Sequence, residues 1–356
     1  MKYIQNYSTD PHFNMAFDEF CLDKLKADEP VFYLWQNRPS VIIGLNQSAY
    51  AEVNLPYLQE KGIVLARRVT GGGAVYHDLQ NLNYTITGRI QDLEALWTKA
   101  LWAEEGTSSS ASLRDPIRAN APEDVPSSAY VETMARALRA LGVPAELSGR
   151  NDILVEGRKC SGYAKRISKD RLMIHGTLMY DVDIDTLTEV LSTPGSKLSA
   201  AGVSSVRSRV ANLKGYLPQF PDIKAFQAVL QALLAGDDEE IHLSAEQLAQ
   251  IEADAAAKYR TWEWIYGHSP VSTFQVRRKF PCGTIEAAFS LKAGCIDGLR
   301  FSGDFLGDLP ADRMEKALQG CRYTPEALRE VFRHTSVGDC FDRLSGEELT
   351  DLLMNR

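Results

Sequence analysis

Hydrophobic positions along the 356-residue chain recur with two periods, and the switches between those periods outline its elements. Phe13, Phe17, Phe20 and Cys21 fall at helical spacing within 13–22 and predict an amphipathic helix with one buried face. Residues 31–35 and 41–44 are short β-favouring runs separated by Asn37-Arg38-Pro39-Ser40, a turn composition, and predict a hairpin closed by Gly44-Leu45-Asn46-Gln47. Apolar runs at 62–66 and 82–86 flank three consecutive glycines, Gly71 to Gly73, which reads as strand, sharp loop, strand. Residues 104–128 are rich in Ser, Ala, Pro and charge and predict a flexible surface insertion. A helix over 130–141 follows, stopped by Gly142. β-rich runs at 152–155, 159–166 and 171–180 with short bends predict antiparallel neighbours.

The second half changes character. Helical patterns cover 223–234 and 244–264, the latter opened by the capping box Ser244-Ala245-Glu246-Gln247. After Tyr266-Gly267-His268-Ser269-Pro270 the strand pattern restarts at 271–276, 285–291 and 296–301. Helices then start at Thr324-Pro325 and Ser345-Gly346-Glu347-Glu348. The fold class expected is therefore α+β, with mixed and antiparallel sheets and interspersed helices, followed by a small α+β C-terminal domain. The divisions fall at 1–243, a connecting helix 244–265, and 266–356, with a hinge expected at 266–270.

Composition narrows the class. A net charge of −8 argues against a nucleic-acid binder that works by neutralising phosphates, while leaving room for a local basic pocket. No apolar run approaches the roughly 20 residues that span a bilayer, and the amino terminus has no apolar export signal, so a cytoplasmic protein is expected. The six cysteines lack Cys-x-x-Cys spacing and read as reduced thiols.

Candidate chemistry gathers around Arg67-Arg68-Val69-Thr70-Gly71-Gly72-Gly73-Ala74-Val75-Tyr76-His77-Asp78. Glycine lets a ligand lie against the backbone, and adjacent guanidinium groups suit phosphate or carboxylate, so the stretch reads as an anion site. It lacks the lysine of a Walker A loop and the spacing of a dinucleotide fingerprint. In Gly157-Arg158-Lys159-Cys160-Ser161-Gly162, Lys159 is either a solvated surface residue or a cation held near phosphate and carboxylate oxygens. Asp152 is either a turn former or a ligand for magnesium. Cys160 has two cationic neighbours that suit a nucleophile, but strand alternation turns it away from whatever Lys159 faces. His77 and His175 are candidate acid–base groups or walls of an acyl pocket.

Five motifs in order resemble the lipoate–protein ligase A family. They are the 67–78 stretch, Gly149-Arg150-Asn151-Asp152, Gly157 to Ala164, His175-Gly176-Thr177-Leu178 and Ser205-Val206-Arg207-Ser208-Arg209-Val210, and the region from 266 onward resembles that family's accessory domain. The resemblance implies a catalytic domain of the biotin/lipoate ligase type that uses ATP and Mg2+ to convert lipoate to lipoyl-AMP. The lipoyl group then passes to a lysine of lipoyl domains in 2-oxoacid dehydrogenase E2 subunits or of the glycine cleavage H protein. It also implies nucleotide contacts from Arg68, Gly71, Gly72, Gly73, Ala74, Val75, Tyr76 and Lys159. Lipoate contacts would come from Arg68, Thr70, Gly73, His77, Lys159, Arg166 and His175, with Lys159 as the catalytic group and Asp152 as the magnesium ligand. Leu45, Gln80 and Tyr163 depart from the family pattern and bear on acyl preference. The alternatives are an octanoyl or lipoyl transferase that uses a thioester without ATP, with Cys160 as nucleophile, and a non-catalytic lipoyl-domain binder.

Overall fold

The computed structural model describes residues 1–25, 27–102, 127–148, 152–191, 208–235 and 240–355. The predicted insertion lies outside them, apart from 127–128, which open the helix Ser127–Ala140. Also outside are Gly149 to Asn151 and Ser205 to Arg207, which belong to two of the motifs.

Among the described residues fourteen strands form three sheets. In chain order they are β1 Lys2–Ile4, β2 Val31–Trp35, β3 Ser40–Ile43, β4 Val64–Arg67, β5 Val75–His77, β6 Asn81–Arg89, β7 Ala145–Ser148, β8 Asp152–Val155, β9 Arg158–Ser168, β10 Arg171–Met179, β11 Glu240–Ile241, β12 Ser272–Phe280, β13 Gly283–Lys292 and β14 Cys295–Gly303. The main sheet runs β11-β1-β2-β6-β10-β9-β8-β7, parallel at the β11-β1-β2 edge and antiparallel elsewhere. The antiparallel meander β8-β9-β10 follows from short bends that leave no room for a crossover.

Alternation explains why β2 is buried along its whole length. Val31, Tyr33 and Trp35 pack against helix α1 (Pro11–Asp23) and the segment carrying Ile251 and Tyr259. Phe32 and Leu34 pack on the opposite face, with Met134, Leu138, Phe226 and Leu230 from the helices Ser127–Ala140 and Ile223–Ala235. Both faces are covered, so the strand needs no polar side.

The expected hairpin between 31–35 and 41–44 does not form. β2 pairs with β1 and β6, while β3 enters a separate small sheet, parallel to β4 and antiparallel to β5. Asn37 and Ser40, which read as turn residues, are fully buried while Arg38 and Pro39 between them are exposed, and the two buried ends lead from one sheet to another instead of turning back. The glycine loop consequently joins two strands that both flank β3. Helix α1 also differs from expectation, because Asn14 and Asp18 on its polar side are as buried as its apolar residues.

The predicted long helix is Ala245–Asp254 with its capping box, followed by two wider, π-type turns at Ala255–Tyr259 and Glu263–Gly267. Beyond it β12-β13-β14 form an antiparallel sheet whose core takes in the capped helices Pro325–His334 and Gly346–Leu353, together with Tyr50 from the first half of the chain. Among the described residues no helix is long and apolar enough to cross a membrane.

Candidate active site

β9 carries the first charged group into the pocket. Lys159 lines it while Cys160 is fully buried on the other side, its thiol donating towards Ile153 O at 3.4 Å. Alternation therefore survives the irregular register between β8 and β9 at this point. Burial pushes the Cys160 thiol up to about 12, so it is neither exposed nor ionised as a nucleophile has to be. The Lys159 backbone is pinned on both sides by residues 209–211, at the end of the 205–210 motif. Its N–H donates to Arg209 O at 2.7 Å, and its carbonyl accepts from Ala211 N at 2.9 Å.

The Lys159 ammonium stands 2.8 Å from Asp152 Oδ1. That oxygen has no hydrogen-bond partner among the described residues, so the contact is an ion pair without the geometry of a directed bond. Gly162 is what lets the side chain lie there, since a Cβ on it would stand 2.8 Å from both Cε and Nζ of Lys159. The pair is partly open to water, with 41% and 31% of the two side chains exposed. Such a pair holds the chain together by only about 0–1 kcal/mol, so it can be exchanged for contacts to an anionic substrate.

The two arginines at the end of β4 point in opposite directions and do different things. Arg68 is buried and spends its donors on the loop itself. Its Nε reaches Thr70 Oγ1 at 3.0 Å, Nη2 reaches Gly71 O at 2.7 Å and Gly73 O at 2.8 Å, and Nη1 reaches Ile42 O at 3.0 Å. The loop carbonyls are thereby drawn inward around a cation, whose own pKa burial lowers to about 10. Gly72, at φ +92 with its Cβ direction 3.0 Å from Arg68 Nη2, allows that wrapping. Gly44 comes against the same loop so closely that a Cβ would meet Gly72 O at 2.2 Å.

Arg67 is fully buried and faces the linker. It donates to Gly44 O, Leu45 O and Gln47 O on one side, and to Trp264 O, Ile265 O and Ser269 Oγ on the other, at 2.6 to 3.1 Å. Sequence reasoning placed both arginines at an anion. Arg67 instead ties the glycine loop's strand to the segment that precedes the C-terminal sheet.

The inner end of the pocket holds two histidines with different wiring. His175 is engaged at both nitrogens: Nδ1–H donates to Asp18 Oδ2 at 2.7 Å and Nε2 lies 2.7 Å from Thr70 Oγ1. Asp18 also accepts from Tyr33 Oη at 2.7 Å and Thr85 Oγ1 at 3.0 Å. His77, only 3% exposed, meets Asn37 Nδ2 at 3.0 Å through Nδ1, and its Nε2 has no partner among the described residues. Burial, helped by Arg68 and His175, lowers its pKa to about 3, so the ring is neutral.

Met15, Trp35, Ile42, Gly73, Ala74, Val75, Asn83, Tyr163 and Ala164 complete the pocket wall with Arg68, Gly72, His77, Lys159, Gly162, His175, Gly176 and Thr177. Tyr76, between Val75 and His77 on β5, faces away into the core beside Val41 and Met179. Arg166 reaches under the loop, donating to Val69 O at 3.0 Å, and does not line the pocket. Thr70 is buried behind the wall, and Gly71 is partly exposed on the loop. Asp18, Thr85 and Asn37 were missed, although Asn14 and Asp18, one turn apart in an apolar helix, carried the signal.

A cation-bearing pocket under a glycine loop, opening into an apolar recess on a mixed sheet, defines a site for an anionic head joined to an apolar tail. The Lipoyl protein ligase A/B catalytic domain family matches residues 10–100 and 117–235, and the Bacterial lipoate protein ligase C-terminus family matches 269–353. The chain belongs to the lipoate–protein ligase family. It is 35% identical to Lipoate–protein ligase 1 of Staphylococcus aureus over 356 residues, which is 99% of this chain and 100% of that protein. Among solved structures, a bi-partite lipoate protein ligase from Thermoplasma acidophilum, studied with its E2 lipoyl domain, is similar at TM-score 0.59 and 26% identity, over 75% of this chain and 96% of its own. A lipoate-protein ligase A bound with ATP is similar at TM-score 0.56 and 25% identity, over 75% and 98%.

Proposed function

We propose that this protein is an ATP-dependent lipoate–protein ligase. It joins the carboxylate of lipoate to the α-phosphate of ATP, releasing pyrophosphate, and passes the acyl group from lipoyl-AMP to a lysine of a lipoyl domain. The observation that carries the reading is Lys159, displayed in the pocket beside the glycine loop while Cys160 is buried behind it.

The residues account for the difficulty of the reaction. Two anions must approach each other, and the carboxylate must lose an oxygen that is a poor leaving group until it is bound to phosphorus. Lys159 supplies positive charge where negative charge accumulates between carboxylate and phosphate. The loop of Gly71, Gly72, Gly73, Ala74 and Val75, fixed from inside by Arg68, offers a preorganised rim to the nucleotide. Tyr76 holds that strand from the core, Thr70 and Arg166 hold the loop's position instead of touching lipoate, and His175 stands in the pocket wall bonded to Thr70. The acyl chain lies in the recess of Met15, Trp35, Ile42 and His77. The incoming lysine amine then attacks the mixed anhydride, and AMP leaves.

No group of three His, Cys, Asp or Glu side chains able to hold a metal occurs among the described residues. Magnesium in nucleotide sites uses one or two carboxylates plus phosphate oxygens, so Asp152 fits as its protein ligand, and the ion would neutralise phosphate charge. Acceptors in this reading are E2 lipoyl domains and the glycine cleavage H protein, in the cytoplasm. The division at 243 and 266 belongs to the same reading, with the hinge at 266–270, a segment in which Arg67 holds Ser269. The test is pyrophosphate release from protein, ATP, magnesium and lipoate. Release that needs all four supports the ligase, and acyl transfer from a thioester without ATP would replace it with the transferase.

A further inference from the structure

His77 has one buried nitrogen without a partner among the described residues, and the surrounding amides decide whether that nitrogen is a donor or an acceptor. Asn14 Nδ2 faces two backbone carbonyls, Ser8 O and Gln36 O, each at 3.0 Å. Carbonyls only accept, so the amide group pointing at them is the NH2. The same nitrogen lies 2.8 Å from Asn37; its two protons are shared among three acceptors, and an NH2 turned towards it would set donor against donor, so the facing atom of Asn37 is its oxygen. Asn37 consequently turns its NH2 to His77 Nδ1 at 3.0 Å, and Nδ1 must accept. The single proton of a neutral ring is left on Nε2, an atom closed to water, without an acceptor among the described residues, on a side chain that lines the pocket. Two carbonyls on the loops around α1 therefore set the tautomer of a histidine through two asparagines.

A buried N–H without an acceptor is costly, and proteins leave few of them. The Trp35 ring lies 6.0 Å away, edge to face, and Met15, Ile42 and Val75 give the same pocket an apolar, polarisable side, while Arg68 and His175 are the ionisable groups near enough to lower the ring's pKa. The carboxylate of a bound acid belongs with the cation at Lys159, so the recess receives the far part of the acyl chain. The acceptor that fits a neutral donor in an apolar, aromatic wall is a soft and weak one, such as the sulfur of a cyclic disulfide.

Resting on the ligase reading above, we propose that His77, held as the Nε2–H tautomer by the Asn14–Asn37 relay, is a specificity donor that bonds a dithiolane sulfur of lipoate. A saturated acyl chain of similar length fills the same recess but leaves the N–H buried and unpaired. A site built around such a donor rejects the analogue lacking the acceptor. Asn14 and Asn37 are positioning residues, acting only through the ring.

The test uses the full chain labelled with 15N-histidine. Long-range 1H–15N correlation should show His77 as a neutral Nε2–H ring, and lipoate, but not octanoate, should move its Hε2 resonance downfield. An Nδ1–H ring, or equal responses to both acids, overturns the proposal without any variant. In pyrophosphate release, His77→Leu should lower the lipoate-to-octanoate ratio of kcat/KM by about tenfold. His77→Gln, which keeps a neutral N–H in the same place, should retain most of it. An unchanged ratio in folded His77→Leu contradicts the assignment. If neither acid releases pyrophosphate, the ligase reading fails, and calorimetric binding of the two acids to wild type decides the His77 question separately: tighter lipoate supports it, equal affinity overturns it.

Discussion

At the mouth of the pocket Lys159 and Asp152 keep 41% and 31% of their side chains in water, whereas at the inner end Asp18, His175 and His77 are 1%, 7% and 3% exposed. The mouth relies on a charge that can change partners, because a half-solvated ion pair contributes little to stability and loses little when phosphate replaces the carboxylate. The inner end relies on polar groups whose partners are fixed: Asp18 takes three donors, His175 uses both nitrogens, and His77 is held in one tautomer. The difference teaches where chemistry and selection reside. Charge that must respond to a changing substrate sits where water can rearrange around it, and groups that must discriminate sit where nothing can rearrange.

The strongest way to break that comparison is to remove the centre of the inner network. Asp18→Ala leaves His175, Tyr33 and Thr85 donors without an acceptor in a closed interior and should destabilise the protein by about 3–5 kcal/mol in urea unfolding. A loss below about 1 kcal/mol would mean the inner end is as replaceable as the mouth. At the mouth the effect should fall on rate instead. Lys159→Ala should slow adenylate formation by about 10²- to 10³-fold while thermal stability stays near wild type. Normal pyrophosphate release by that variant would remove Lys159 from the chemistry.

Acid titration sharpens the contrast. The folded His77 ring resists protonation down to about 3, against an ordinary value of 6.5. Above 6.5 folded and unfolded forms are both neutral, and below it the unfolded chain takes up a proton that the folded chain refuses. Stability therefore falls as pH drops through this window, by up to about 1.4 kcal/mol per pH unit from this one group. His77→Gln should flatten the slope of stability against pH between these values by up to one proton. An identical slope would show that the ring already protonates in the fold. The smallest effect is expected at Cys160, whose thiol is packed in the core and has Ile153 O as its hydrogen-bond partner among the described residues. Cys160→Ser should keep most ligation and cost about 1 kcal/mol of stability, and a thioester trapped on Cys160 would contradict its burial.

Much of the mouth was legible in the sequence. Three adjacent glycines and a lysine at a fixed step from a small residue are local signals, and alternation alone put Lys159 and Cys160 on opposite faces. The β8-β9-β10 meander was legible for the same reason, because its bends are short. The inner end was not. Asp18 meets His175 across 157 residues, and Asn37 meets His77 across 40, so nothing near either residue announces the contact. The false hairpin has the same origin, since turn composition at 37–40 cannot say that β2 and β3 enter different sheets. Arg67 misled because adjacent arginines suggest one anion, whereas strand alternation gives them two destinations.

The most direct measurement follows oxygen. Lipoate labelled with 18O in its carboxylate, ATP, magnesium and a lipoyl domain are incubated with the protein, and the AMP is weighed by mass spectrometry. Attack of the carboxylate on the α-phosphate places one labelled oxygen in the bridge, and the lysine amine then breaks the acyl–oxygen bond, so each AMP should carry one 18O for every lipoyl group transferred. Unlabelled AMP, or lipoylation that proceeds without forming AMP, would contradict the account.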